Sequence, residues 1–369
     1  MHKKRESGIE LLKIFAIFTI VIAHVVQALE NINTQIGNYP AEAFIDLSRS
    51  TMDLEIFILQ NIRYLGMLGN AIFFICSAWF LCDDKKVSLK KIILMCLDIW
   101  IISVAYLLIM KCIGVKISTT LIIKSLFPTT FANNWYITFY ILIYAIHPLL
   151  NLVIEHLSKH ELLRFCKISA FLYFGMCFIN KDLFFTSKLI TYIVLYFCVA
   201  YIKKYTPQYT SNIKLNIRVL IIAILINVGL ILFTDIFGLI GAQYSEKLGT
   251  QVLRWDTNCN PILILIALSL FNIFKELHFE NKIVNYISSL SLLVYAIYNN
   301  ILFRTYVRSL IYVYIYQMWG YDHLLFWVLL YALILFGVSI IFASLYKQTI
   351  QRIALKIADQ MSSKLIKIL

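Results

Sequence analysis

Long apolar windows recur along the chain, and they constrain its fold more than any other feature. Windows of about 20 apolar residues, the length a helix needs to cross a hydrocarbon core, fall near 9–29, 64–82, 92–113, 135–155, 166–180, 184–202, 217–237, 259–275, 284–303 and 323–346. No water reaches that depth, so backbone groups must pair within their own segment and each window reads as a helix. The expected fold class is an all-α polytopic membrane protein with about ten transmembrane helices. Composition agrees: 61% of the 369 residues are hydrophobic and 14% are charged, far from the balance of a soluble domain.

Charge gives the expected bundle a direction, because cytosolic loops carry the excess of Lys and Arg. With the N-terminus inside, the inside segments are that terminus, 83–91, 156–167, 203–218, 275–282 and everything after Tyr346. They hold about two thirds of the 33 lysines and arginines. Both termini are therefore expected to be cytosolic. The long loops 30–63 and 237–258 then lie outside, with most of the exposed acids. This bias accounts for the net charge of +13, so no nucleic acid is implied as a partner. The eight cysteines are scattered through apolar runs without a CxxC pair or a Cys/His cluster, which implies neither a metal nor a disulfide framework. No small-residue cleavage site follows the first window, so it reads as a retained helix. The apolar run within 112–134 is too short to span, and reads as re-entrant or as lying along the outer interface.

The first window carries Glu10, Lys13 and His24. Ionisable groups at membrane depth are costly and mark function by default. Lys13 and His24 are eleven residues apart, about 16 Å along a helix and close to three turns, so both face one side. A cation near the cytosolic end and an imidazole deeper in could hold the two ends of one elongated ligand.

Five segments, in order, resemble the acyltransferase-3 family of integral membrane acyltransferases. The family's signature is a basic residue, ten others and then His, with an acid just before; Glu10, Lys13 and His24 match it. GNAIFFICSAWFL at 69–81 resembles its FFxxSG(Y/F)-L segment, and NNWYITFYILIYAIHPLLN at 133–151 its WYL…Y…PFLN helix. TYIVLYFCVAYIKKY at 191–205 is similar to YFxxGxYIKKY, and NKIVNYISSLSLLVYAIYNNILFR at 281–304 to S-xx-(V/I)-YLIH. Three positions depart from the pattern: Ala78 replaces Gly after Ser77, Tyr298 replaces His, and Lys13 replaces the commoner Arg.

The resemblance implies an O-acyltransferase that moves an acyl group, usually acetyl, from cytosolic acyl-CoA to a hydroxyl of a cell-envelope polysaccharide or its lipid-linked precursor. Acetyl-CoA would be a co-substrate, with no permanently bound cofactor, and the location would be the bacterial cytoplasmic membrane as a multi-pass protein. Residues 1–346 would form the transmembrane acyltransferase domain and 347–369 a basic tail, either an amphipathic helix on the cytosolic leaflet or solvated chain. The residues permit this chemistry. Thioester transfer needs a base at the acceptor hydroxyl, and His24 is suited to it near neutral pH, as base or as covalent carrier. Lys13 could meet a phosphate of the donor as a point charge, Glu10 one turn below could hold Lys13, and Ser77 at similar depth could line the donor side. Near the depth of His24, Tyr295, Tyr298, Asn299 and Asn300 could orient the acceptor or serve a developing oxyanion. Trp135 could stack on a sugar, and Arg63 ends the first outer loop. Arg304 and Arg308 follow on the outside and could meet an anionic glycan, but read chiefly as outer-interface anchors; Asp98 and His147 read as structural. A polysaccharide-unit transporter or polymerase is the alternative; it would need no thioester site.

Overall fold

The computed structural model describes residues 6–30, 40–180 and 188–366. Lys3, Lys4 and Arg5 of the expected cytosolic N-terminus lie outside the described residues, as do 31–39 of the first outer loop, 184–187 of the sixth window and 367–369 of the tail.

Among the described residues every regular element is helical. Six helices are long and apolar enough to cross a membrane: α1 (Ser7–Gln27), α2 (Leu54–Leu81), α3 (Leu89–Cys112), α5 (Trp135–His156), α9 (Ile213–Gly241) and α15 (Leu324–Gln348). Between them lie α4 (Thr119–Leu126), α6 (Lys159–Ala170), α7 (Lys188–Tyr205), α8 (Pro207–Thr210), the apolar α10 (Pro261–Lys275), α11 (Lys282–Ser288), α12 (Ser291–Tyr298), α13 (Ile301–Tyr306) and α14 (Leu310–Trp319), and α16 (Ile350–Ile366) follows. The chain is a polytopic membrane protein.

α1 is the axis of the bundle. It packs on α2, α10, α11, α12 and α15, and most of its side chains are buried. Its tightest contact is with α2. A Cβ on Gly69 would stand 2.6 Å from the Ala16 carbonyl and 2.5 Å from Ile20 Cγ1, so only glycine lets the two backbones approach this closely. Asp53 starts α2 by accepting from the Ile56 amide at 2.9 Å, a cap that satisfies one of the helix's unpaired donors.

The two sets of segments separated by charge meet at opposite ends of the bundle. At the α1 start, Ser7 N donates to Phe279 O at 3.0 Å. There also Lys203 Nζ is 2.5 Å from Asp83 Oδ2, Lys85 pairs with Glu155 at 2.8 Å and Lys90 with Asp359 at 2.8 Å. At the other end, Ile45 N donates to Leu29 O at 3.1 Å and Ser50 N to Gly249 O at 2.9 Å, and Thr51 N donates to Asp235 Oδ1 at 2.7 Å. The apolar run within 112–134 forms α4, whose Leu121 and Ile122 pack with Leu107, Ile301 and Leu302.

Three windows fall short of one continuous helix of spanning length. The 166–180 window begins as the end of α6, which opens on a Ser158–Glu161 capping box, and then widens into a short π turn before tightening into a 3-10 turn. The 259–275 window yields a 15-residue helix. The 284–303 window breaks twice, into α11, α12 and α13. Serine hydroxyls satisfy carbonyls at the first break, Ser289 Oγ to Tyr286 O at 2.6 Å and Ser291 Oγ to Ser288 O at 2.8 Å. At the second, Asn300 Oδ1 accepts from Leu302 N at 2.9 Å and restarts the helix as α13. Non-helical backbone at such depth is tolerated where it is buried in protein or lines a polar cavity.

The tail is helical and docked. α16 packs on α3, with Ala354 and Ala358 buried. Gln351 Nε2 donates to Asp98 Oδ2 at 2.6 Å and Tyr346 Oη to Asp98 Oδ1 at 2.9 Å, so Asp98 ties α3 to the end of α15 and the start of α16. His147 is structural for a local reason. Proline has no amide to give the carbonyl four residues back, so Pro148 leaves Tyr144 O without its helical donor; His147 Nδ1 lies 2.6 Å from that oxygen and takes the place of the missing N–H.

Candidate active site

A polar cavity of roughly 560 Å³ opens at the end of the bundle away from Lys13. Its walls come from α1, α2, the start of α5, the start of α7 and the turn from α12 to α14. His24, three turns up α1, lines it with Gln27 one turn further. α2 adds Asn70 and Arg63, α5 opens on Trp135, and α7 opens on Lys188. Asn299, Arg304 and Arg308 close the remaining side.

His24 is held by α12. Tyr298 Oη lies 3.2 Å from His24 Nδ1, and the Tyr298 and Tyr295 rings pack at 5.8 and 6.4 Å from the imidazole. Tyr298 is 1% exposed. The contact is made because α12 is short and independently oriented, so its Tyr295–Tyr298 face lies against α1. The family resemblance places a second histidine at this position; Tyr298 occupies it and touches the first histidine directly.

Arg63 reaches the cavity but is paired: Glu30 Oε2 is 3.4 Å from its Nε, and Asp256 Oδ2 is 2.8 Å from its Nη1. Glu30 lies just past α1, where burial raises its carboxyl above the usual range against the pull of Arg63. Trp135 serves as a platform, with Lys188 Nζ 3.9 Å from its ring centroid, a cation–π distance. Asn299 Oδ1 accepts from Arg308 Nη1 at 3.3 Å.

Arg304 and Arg308 are not outer-interface anchors. The chain does not run straight out after Tyr298. It breaks at Asn299–Asn300, and Tyr331 Oη holds the Arg308 carbonyl at 3.2 Å. Both arginines line the cavity, and Arg308 is only 4% exposed. Asn300 does not reach the cavity; its side-chain oxygen caps α13.

The donor-side residues sit apart. Lys13 Nζ is 2.9 Å from Glu10 Oε1, one helical turn away as the spacing predicts. Ser77 Oγ donates to Phe73 O of its own helix at 3.0 Å. Between their level and His24 the interior is closed by Ile17, Ile20, Phe73, Tyr136 and Tyr295, around a void of only about 10 Å³. Phe73, Tyr136 and Tyr295 thus form a seam of aromatic rings around that void. The Tyr136 hydroxyl is buried in that seam without a hydrogen-bond partner.

Residue-by-residue reading missed Gln27, Asn70, Lys188 and Tyr136. Gln27 and Asn70 carried a usable signal: an amide inside an apolar window needs a partner or a polar space, and Gln27 lies one turn beyond His24. Lys188 carried none, since a lysine at a helix end is ordinary.

A family model described as an acyltransferase domain matches residues 6–346. No curated protein and no solved structure matches the chain.

Proposed function

The chain belongs to the acyltransferase-3 family of integral membrane acyltransferases, and from that premise we propose that it carries acetyl from cytosolic acetyl-CoA to a hydroxyl of a cell-envelope polysaccharide or its lipid-linked precursor, across the bacterial cytoplasmic membrane. As a family member it is an O-acyltransferase of the membrane; the donor, the acceptor and the residue roles are our reading. The observation that carries it is the position of His24, at an open polar cavity with Nδ1 held by Tyr298.

In this reading Tyr298 accepts from Nδ1–H, which fixes the tautomer that leaves the Nε2 lone pair free. Nε2 takes the proton of the acceptor hydroxyl as its oxygen bonds to the thioester carbonyl carbon. In this reading the oxyanion of the tetrahedral intermediate is met by hydrogen-bond donors, with the Tyr136 hydroxyl of the adjoining seam serving as one once the seam opens. Collapse breaks the carbon–sulfur bond, and the imidazolium returns its proton to the departing thiolate. The donor comes from the Lys13 side, where Lys13, oriented by Glu10, meets one of its phosphates. Its acyl end reaches His24 when the Tyr136–Tyr295 seam opens.

The test is mass spectrometry of surface glycans from cells with the wild-type chain and with His24→Ala inserted at equal level. Loss of ester-linked acetyl in the variant is expected, and wild-type acetyl content would refute the mechanism. Binding of acetyl-CoA to the purified protein separates this reading from a transporter or polymerase.

A further inference from the structure

Among the described residues the cations of the cavity exceed the acids paired with them. Arg63, Lys188, Arg304 and Arg308 all line it. The carboxylates at its edge, Glu30 and Asp256, both engage Arg63. Among the described residues no carboxylate pairs with Lys188, Arg304 or Arg308. Lys188 rests on the Trp135 ring. Among the described residues, the Arg308 guanidinium has one hydrogen bond, from Nη1 to the Asn299 amide oxygen, and its Nε is buried without a partner. A guanidinium taken out of water without a counter-charge is unfavourable, and this one is turned into an open polar space.

We infer that the acceptor is anionic, with a phosphate or carboxylate beside the hydroxyl that is acylated, and that Arg304 and Arg308 seat this group next to His24. The inference rests on the acyl-transfer reading of the same site. The geometry favours it on three counts. Guanidinium forks match both anions with paired, charge-assisted hydrogen bonds. Burial in a low-dielectric wall strengthens attraction for an anion that enters. The cluster lies at the end of the bundle opposite Lys13, so a donor whose phosphates rest at Lys13 leaves these cations to the acceptor. A neutral glycan could offer hydroxyl oxygens to these guanidinium groups but no counter-charge.

The experiment sorts the product by charge. Surface glycans from cells making the wild-type, His24→Ala, Arg304→Gln or Arg304→Lys chain are separated by anion exchange into neutral, uronate-bearing and phosphate-bearing fractions. Ester-linked acetyl in each is measured by mass spectrometry. Acetyl that depends on His24 should fall in a charged fraction, and which one tells carboxylate from phosphate. Arg304→Gln, made at equal membrane level, should lower it about tenfold, the worth of one charge-assisted hydrogen bond. Arg304→Lys should recover part of that loss, since the charge is kept but the paired fork is not. His24-dependent acetyl in the neutral fraction overturns the anionic acceptor, as does wild-type acetyl in Arg304→Gln or a loss that Arg304→Lys fails to rescue. Each of these leaves acyl transfer standing. Equal acetyl in wild type and His24→Ala in every fraction overturns acyl transfer, and this inference with it.

Discussion

Replacing Tyr298 by Phe removes one oxygen from the site and almost nothing else. The ring is buried and packed on His24 and Tyr295, so its shape is retained. The oxygen lies 3.2 Å from His24 Nδ1, at the long end for such a bond. With a neutral imidazole the bond contributes about 0.5–1.5 kcal/mol, and with the imidazolium formed during proton transfer about 1.5–3 kcal/mol. Only the strengthening between ground state and transition state accelerates the chemistry. That difference of about 1–1.5 kcal/mol corresponds to a roughly tenfold fall in kcat. With the donor's phosphates at Lys13 as proposed, the KM for acetyl-CoA should not change. Initial rates of acetyl transfer by the purified protein in lipid nanodiscs, across a range of acetyl-CoA concentrations, measure both. A kcat within about twofold of wild type would mean the hydroxyl does not orient the imidazole. A fall beyond about a thousandfold in a folded variant would mean it takes part in bond making itself. Tyr298→His, which places an imidazole where the family resemblance expects one, should fall between the wild type and Phe.

Other substitutions separate the two ends of the site from its frame. Lys13→Ala should raise the KM for acetyl-CoA about tenfold while leaving the acceptor KM unchanged, since one charge-assisted contact to a phosphate is lost; the same initial-rate series reports it. Gly69→Leu drives a side chain into Ala16 and Ile20 and should cost about 3 kcal/mol or more, seen as loss of a monodisperse peak by fluorescence size-exclusion. His147→Ala removes the donor that replaces the missing proline amide, and should cost about 1–3 kcal/mol of stability with kcat unchanged, measured by thermal unfolding beside activity. Gln351→Ala should free the start of α16 from Asp98, read as faster amide exchange in α16 alone.

Much of the site's axis is legible in the sequence because it lies within one helix. Three turns from Lys13 to His24 and one turn from Glu10 to Lys13 follow from helical periodicity alone, and the Glu10–Lys13 pair forms at that spacing. Arg304, Arg308 and Asn300 show where such reasoning stops. Their windows are apolar enough to continue as helix, so periodicity carries Asn300 into the span and leaves the arginines beyond it. Whether Asn300 continues a helix or caps a new one depends on what its side chain can bond and on the polar space beside it. What lies between Lys13 and His24 is beyond such reasoning for a related reason. Phase and length say which residues share a face, but the Phe73, Tyr136 and Tyr295 rings that fill that face come from three other stretches of chain.

The sequence by itself determined an all-helical membrane bundle, the two sets of loops that meet at its opposite ends, and a histidine on one face with a lysine three turns below. Hydropathy, charge bias and helical phase are properties of consecutive residues, so they survive without coordinates. Only the tertiary structure decided that Tyr298 touches His24, that α12 and α13 are separate helices, and that Arg304 and Arg308 turn inward with Lys188 around one cavity. The His24–Tyr298 contact and the cavity join residues far apart in the chain, and the local caps that break the helix prevail only beside that polar space, which no local pattern records.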